Sequence, residues 1–89
     1  MRKPFERYAA SGEINTEVAD PAAVIERVAD AYASAAQDRL DGLTVDAGRW
    51  WFNLRPSNTE PLLRLNLEAD DRAACDERVA EVLSLITAS

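Results

Sequence analysis

The chain has 89 residues, 47% of them apolar and 29% charged, which is enough for one small folded domain but not for a deep enzyme cleft of its own. Its formal net charge of −6 argues against nucleic acid or an anionic membrane surface as a partner. A single cysteine excludes an internal disulfide, and the absence of histidine removes the usual general base and any conventional zinc site.

The amino-terminal residues 1–8 (MRKPFERY) contain no apolar core of signal-peptide length. No stretch of the sequence approaches the roughly 20 apolar residues that a membrane span needs. Together with the lone cysteine, these features predict a cytoplasmic protein.

Residues 8–18 are expected to be extended, with an interruption at Ser11-Gly12. Asp20 followed by Pro21 is typical of a helix start, with aspartate as the N-cap and proline at the first helical position. Helical spacing then predicts a buried stripe of apolar side chains, namely Val24, Ile25, Val28, Ala29 and Tyr32.

The second half of the chain is expected to form three strands and a helix. Asp41-Gly42 opens a strand over residues 43–47, and the turn at Gly48-Arg49 pairs it with a strand over residues 50–55 as a hairpin. A strand over residues 62–68 follows a polar loop. Asp70-Asp71 then caps a helix whose buried face is predicted to carry Cys75, Val79, Val82, Leu83 and Ile86.

Strand alternation places two arginines on one side of the sheet. In residues 50–55 the apolar face carries Trp50, Phe52 and Leu54, and the other face carries Trp51, Asn53 and Arg55. In residues 62–68, one face carries Leu63, Leu65 and Leu67 and the other carries Leu62, Arg64, Asn66 and Glu68. If the apolar faces share one core, Arg55 and Arg64 both point toward the same open side.

The loop between these arginines holds three small polar residues between Pro56 and Pro61. Ser57 and Thr59 offer hydroxyl groups, Asn58 offers an amide, and successive backbone N–H groups in a tight turn form a nest for anions. A guanidinium group fits phosphate oxygens bidentately. The pattern therefore indicates a phosphate site, although an ordinary hairpin turn explains it equally well, because Pro, Ser and Asn favour turns anyway.

The other candidate residues favour structural roles. Trp50 is predicted to pack in the core and Cys75 to be a small buried apolar residue, whereas Trp51 lies on the polar face and is a candidate contact to a neighbouring domain. The acidic residues 68–71 have no convincing metal-ligand spacing, so no metal site is predicted. Glu60, inside the loop, is a candidate acceptor for a sugar hydroxyl. No residue of the chain is assigned as catalytic.

The run Arg55-Pro56-Ser57-Asn58-Thr59-Glu60-Pro61-Leu62-Leu63-Arg64 resembles the phosphate-binding loop of the α-D-phosphohexomutases, which lies in their fourth, C-terminal domain. The runs Ser11-Gly12-Glu13-Ile14-Asn15, Asp41-Gly42-Leu43 and Trp50-Trp51-Phe52-Asn53-Leu54 stand in the order expected for the phosphomannomutase/phosphoglucomutase branch. Asn58 favours this branch, because phosphoglucosamine mutases usually have glycine there. The resemblance covers about residues 5–86.

The resemblance implies an α+β fold, an antiparallel four-stranded sheet with two helices packed on one face, like the TATA-box-binding protein. It implies that residues 1–7 are a linker from a preceding domain and residues 8–89 the C-terminal phosphate-binding domain. The positions that grip the non-reacting phosphate of mannose or glucose 1- or 6-phosphate match Arg55, Ser57, Asn58, Thr59 and Arg64.

In this family the phosphorylated serine, the aspartate-held magnesium and the main sugar-discriminating loop belong to the other three domains. The resemblance therefore implies no cofactor in this domain, magnesium in the full-length enzyme, and no mutase activity for this domain alone. Two alternatives stay open: a free-standing phosphosugar-binding module, and a protein-interaction domain that docks through the Trp51 face. Sequence upstream with a serine nucleophile motif and an Asp-Gly-Asp metal loop would favour the enzyme. The preference for mannose or glucose is set outside this chain.

Overall fold

Two helices pack against an antiparallel sheet in the computed structural model, which describes residues 9–40 and 42–88. The predicted α+β class is confirmed. In chain order the elements are β1 (Ala9–Ala10), β2 (Ile14–Glu17), α1 (Pro21–Ala31), β3 (Ala36–Asp38), β4 (Leu43–Asp46), β5 (Trp51–Pro56), β6 (Leu62–Ala69) and α2 (Arg72–Thr87).

The strand order is β1-β6-β5-β4-β3, and β2 also pairs with β6. Since β1 and β2 follow the same edge of β6, they behave as one strand interrupted at residues 11–13, as the sequence predicted. Ser11 bridges the interruption, because its N–H donates to the carbonyl of Leu67 at 2.8 Å and its hydroxyl accepts from the Leu67 N–H at 3.0 Å.

The sheet has one more strand than the predicted four, which correspond to β1–β2, β4, β5 and β6. The additional edge strand, β3, carries only exposed side chains, so it has no apolar alternation that a sequence pattern would reveal. Pairing with β4 makes it a strand. The side chain of Gln37 also anchors it, donating to the carbonyls of Ala29 and Tyr32 at 2.9 Å each.

Both predicted helix starts are confirmed. A carboxylate oxygen of Asp20 accepts a hydrogen bond from the Ala23 N–H at 3.2 Å, and one of Asp71 accepts from the Ala74 N–H at 2.8 Å. These side chains satisfy backbone donors that the first helical turn leaves without partners. The predicted stripes face the core, with buried side chains at Val24, Ile25, Val28, Ala29, Cys75, Val82 and Ile86 and partly buried ones at Tyr32, Val79 and Leu83.

An aromatic cluster closes the core beside α1. Trp50 lies just before β5 instead of beginning it, yet it is buried as predicted. Its ring stacks on Phe52 with centroids 5.8 Å apart and meets Tyr32 edge-on at 5.6 Å, and the guanidinium carbon of Arg78 lies 4.8 Å from its centroid. The Tyr32 hydroxyl donates to Glu81, and burial, reinforced by that hydrogen bond and charge, raises the pKa of Tyr32 above its ordinary value.

Trp50→Ala is expected to lower the free energy of unfolding by roughly 3–5 kcal/mol, because it leaves a cavity between Tyr32, Phe52 and Arg78. Urea unfolding followed by circular dichroism measures the change. Leu40→Ala is the control, since Leu40 is 93% exposed and its truncation is expected to stay within about 0.5 kcal/mol. Similar losses for the two variants would show that Trp50 does not hold the core together.

The carboxyl end of α2 is stabilised from α1. The last turn of α2 has no basic residue of its own. Arg27 supplies the charge, donating from Nε to the Leu85 carbonyl at 3.0 Å and from Nη2 to the Ile86 carbonyl at 3.1 Å. These carbonyls have no partners within the helix and carry its negative dipole end, so Arg27 ties the two helices together.

Arg27→Met keeps most of the apolar stem but removes both hydrogen bonds to α2. We expect a loss of about 1–3 kcal/mol in the free energy of unfolding, the range for hydrogen bonds to a charged group. Arg49→Met is the matched control, because the Arg49 side chain is 88% exposed and forms a surface ion pair with Asp70. If both variants unfold at the same urea concentration, Arg27 does not act as a cap.

Candidate functional site

An open pocket of about 280 Å³ lies at the end of β5 and β6 where the connecting loop folds over. The structure brings all five predicted phosphate-binding residues together in its wall, and Glu60 is not part of that wall. The lining residues are Arg55, Pro56, Ser57, Asn58, Thr59 and Arg64.

The two arginines lie directly opposite each other. In the antiparallel register of β5 and β6, Arg55 pairs with Arg64, and both side chains are half-buried. Opposed residues of adjacent strands have Cβ atoms about 4.5–5.5 Å apart, and like charges at such positions repel. The pair therefore concentrates positive charge at one place on an acidic chain.

The Arg64 side chain has an unused donor. Its Nε atom is buried and has no hydrogen-bond partner in the part of the chain that the structure describes. Arg64 pairs with Arg55 on one side of β6, and on the other side it pairs with Asn15 of β2. A buried donor without an acceptor is costly, and the cost is higher when the donor carries charge.

Ser57 organises the loop. Its N–H donates to the carbonyl of Leu62 at 3.0 Å, and its hydroxyl oxygen accepts from the N–H groups of Thr59 at 3.2 Å and Glu60 at 3.3 Å. Most backbone N–H groups of residues 57–60 are thus bound within the loop, and Asn58 alone of these four has an N–H with no partner among the described residues. The predicted nest of free backbone donors is therefore not formed here.

Side chains provide the available donors instead. The hydroxyl oxygen of Ser57 accepts hydrogen bonds, which leaves its own hydrogen free to donate. Asn58 and Thr59 are exposed, and neither side chain has a hydrogen-bond partner in the described ranges. Glu60 is exposed on the same loop and lies outside the pocket wall, and its contact to a sugar hydroxyl stays a prediction.

Side-chain hydrogen bonds connect neighbouring residues on the polar face of the sheet. The indole N–H of half-buried Trp51 donates to Glu68 at 3.1 Å, and the Asn53 amide donates to the Thr44 hydroxyl at 3.0 Å. Leu62, predicted on this face, is buried at 9% exposure beside its strand partner Glu17.

Each acidic residue near the start of α2 has a structural role. Glu68 accepts from Trp51, Asp70 pairs with Arg49 at 2.8 Å, and Asp71 caps the helix. Within residues 9–40 and 42–88 no group of three or more His, Cys, Asp or Glu side chains is placed to hold a metal ion. The described residues thus offer no ligand set for the magnesium that the resemblance implies for the full-length enzyme.

Cys75 is fully buried in the core, as predicted, and this burial raises the pKa of its thiol above the ordinary value. None of the helices in the described part of the chain has the length and apolar character needed to cross a membrane.

Comparison with known proteins identifies the family. The family model described as phosphoglucomutase/phosphomannomutase, C-terminal domain, matches residues 13–85. The chain belongs to this family. The match includes both arginines and the whole loop between them, so the pocket described above lies within the part that the family shares.

Members of the phosphoglucomutase/phosphomannomutase family from distant organisms are similar to this chain. It is 46% identical to a protein named phosphomannomutase from Methanocaldococcus jannaschii, over 97% of this chain and 19% of that protein. It is 45% identical to a phosphomannomutase from Salmonella typhimurium, over 97% of this chain and 20% of that protein. Phosphohexose mutases from Xanthomonas campestris are 45% identical, over 92% of this chain and 19% of their length. The chain thus spans about one fifth of these relatives.

Arg64→Met is expected to leave the ligand-free domain as stable as the original or more stable, by about 1 kcal/mol, since it removes a buried donor that has no partner among the described residues. Thermal unfolding of both proteins measures the difference. Arg72→Met is the control, because Arg72 has partners in Asp76 at 3.2 Å and the Ala10 carbonyl at 3.1 Å and is expected to lose stability on substitution. A marked loss on Arg64→Met would mean that Arg64 is needed for folding.

Proposed function

We propose that this chain is the C-terminal domain of a phosphohexomutase and holds the non-reacting phosphate of a hexose phosphate while the other end of the sugar reacts. The observation that carries the proposal is the opposed pair Arg55 and Arg64, with a buried Arg64 Nε that has no acceptor, in a pocket lined by Ser57, Asn58 and Thr59.

Phosphate is the ligand that best fits this donor set. A dianionic phosphate attracts both guanidinium groups, and it offers enough oxygen atoms for both arginines and the loop side chains. The overall charge of −6 would not attract an anion, so the affinity must come from these local groups. A neutral sugar hydroxyl would gain less from two guanidinium groups than an anion does.

The hexose part of the proposal comes from the relatives, whose names are phosphomannomutase and phosphohexose mutases. For an interconversion of hexose 1- and 6-phosphates, a grip on the remote phosphate fixes the reacting hydroxyl in line with the group to be transferred. Binding energy far from the reaction centre thereby lowers the barrier. Phosphoryl transfer depends mainly on such positioning and on charge stabilisation.

The proposal assigns the remaining functions to sequence beyond this chain. The described residues hold no cluster of metal ligands, and the resemblance assigns the phosphorylated serine, magnesium and sugar discrimination to other domains of the enzyme, so we propose that these lie outside this chain. Closure of those domains over the open pocket would exclude water from the site. Residues 8–89 are proposed as the domain and residues 1–7, outside the described residues, as its linker. The lone buried Cys75 fits a cytoplasmic enzyme.

The proposal is tested by titrating the chain with glucose 1-phosphate and following amide chemical shifts by NMR. We expect weak binding with a Kd on the order of millimolar, because a few charge-assisted hydrogen bonds must offset the entropy lost on association. Shifts are expected to centre on Ser57, Asn58 and Thr59, and glucose without phosphate is expected to leave them unchanged.

Matched arginine variants separate a specific site from a general charge effect. Arg55→Ala and Arg64→Met are each expected to raise the Kd by about tenfold or more. Arg49→Met changes the net charge by the same amount at an exposed position outside the pocket, and it is expected to change the Kd less than about twofold. Equal effects of Arg49→Met and Arg64→Met, or equal responses to glucose and its phosphate, would refute the proposal.

A further inference from the structure

Gly42 makes an unusually close approach to the strand that carries Arg55. It lies directly before β4 with φ at +74°, and the next residue, Leu43, pairs with Leu54 of β5. A Cβ atom on residue 42 would lie 2.5 Å from the Leu54 carbonyl oxygen, 2.9 Å from Cγ of Arg55 and 3.0 Å from Cα of Arg55. Two of these atoms belong to the backbone, so they cannot move aside as a flexible side chain would.

This approach distinguishes Gly42 from the other glycines. Gly12 and Gly48 also have positive φ, at +72° and +97°, but a Cβ atom on either would meet nothing within 4 Å. All three positions favour glycine for their backbone angle. At Gly42 alone, the missing side chain also makes room for a neighbour, and that neighbour is Arg55 of the pocket.

We infer that Gly42 is a positioning residue for Arg55 and sets the direction in which its guanidinium group enters the phosphate pocket. The inference rests on the proposed function of the pocket. β4 lies on the side of β5 opposite to β6, so the contact with Gly42 holds the stem of Arg55 on the side away from Arg64. Without a side chain at residue 42, Cγ of Arg55 lies against the backbone there.

This placement favours binding. A long side chain loses rotamer freedom when it binds a ligand, and a side chain whose stem is already held in place loses less, so the contact with Gly42 favours affinity. A side chain on residue 42 would displace Arg55 or the end of β5, and an error of about 1 Å in such a group is costly for function.

Gly42→Ala and Gly12→Ala form a matched pair, since the two positions share nearly the same φ and only the first contacts Arg55. Both variants are titrated with glucose 1-phosphate by NMR at constant ionic strength, and their stability is measured separately. We expect Gly42→Ala to raise the Kd by about tenfold and Gly12→Ala by less than about twofold. Equal Kd values for the two variants would overturn the inference.

A double-mutant cycle with Arg55→Ala distinguishes positioning from general damage. If Gly42 acts through Arg55, Gly42→Ala is expected to change the Kd less than about twofold once Arg55 is already alanine. A tenfold effect that persists without Arg55 would show that Gly42 matters only for folding of the strand end. If Arg55→Ala itself leaves the Kd unchanged, the proposed function fails, and this outcome is separate from a failure of the Gly42 inference.

The unaltered chain provides a second test that does not depend on the folding of any variant. Without ligand, we expect nuclear Overhauser effects between the α protons of Gly42 and the γ protons of Arg55, together with a single χ1 rotamer for Arg55. Rotamer averaging at Arg55 without these Overhauser effects would contradict the inference.

Discussion

The pairing of β5 with β6 is the constraint on which the core and the pocket both depend. Its register places Phe52 beside Leu67 and Leu54 beside Leu65, all buried, while the alternate positions bring Arg55 beside Arg64 on the other face. Because side chains alternate strictly along a strand, a slip of one residue would bury the arginines and expose the leucines. The hydrophobic core therefore fixes the geometry of the pocket.

The proposed pocket contains one feature that is unfavourable for stability. The buried Nε atom of Arg64 has no hydrogen-bond partner among the described residues. The rest of the fold is otherwise well satisfied, with capped helices and, among the described residues, no buried polar or charged side chain in the core. An unsatisfied group in an otherwise consistent structure is typical of a functional site.

The hydrogen-bond donors of the pocket lie on two kinds of backbone, paired strands and an exposed loop. Arg55 and Arg64 project from paired strands, whereas Asn58 and Thr59 lie on an exposed loop held by the hydrogen bonds of Ser57. Strands hold side chains more firmly than loops do, so the charged groups are preorganised and the neutral donors can adjust. Gly42 adds to this preorganisation through its contact with the stem of Arg55.

The sequence alone determined the features that depend on local patterns. Asp20 and Asp71 were recognisable as N-caps, the helix stripes followed from spacing, and strand alternation placed Arg55 and Arg64 on one face, because each of these patterns operates within a few residues along the chain. The motif around Ser57 was enough to indicate the family, whereas the phosphate site stays a prediction.

Only the tertiary structure decided the features that join distant residues. It showed that Arg27 caps a helix 58 and 59 residues away, that edge pairing and not burial makes β3 a strand, and that Gly42 touches Arg55. It also showed that the Ser57 hydroxyl takes up the backbone donors predicted to be free. Composition and spacing carry no signal for such contacts, because they depend on which elements meet in space and on which donors the folded chain has already used.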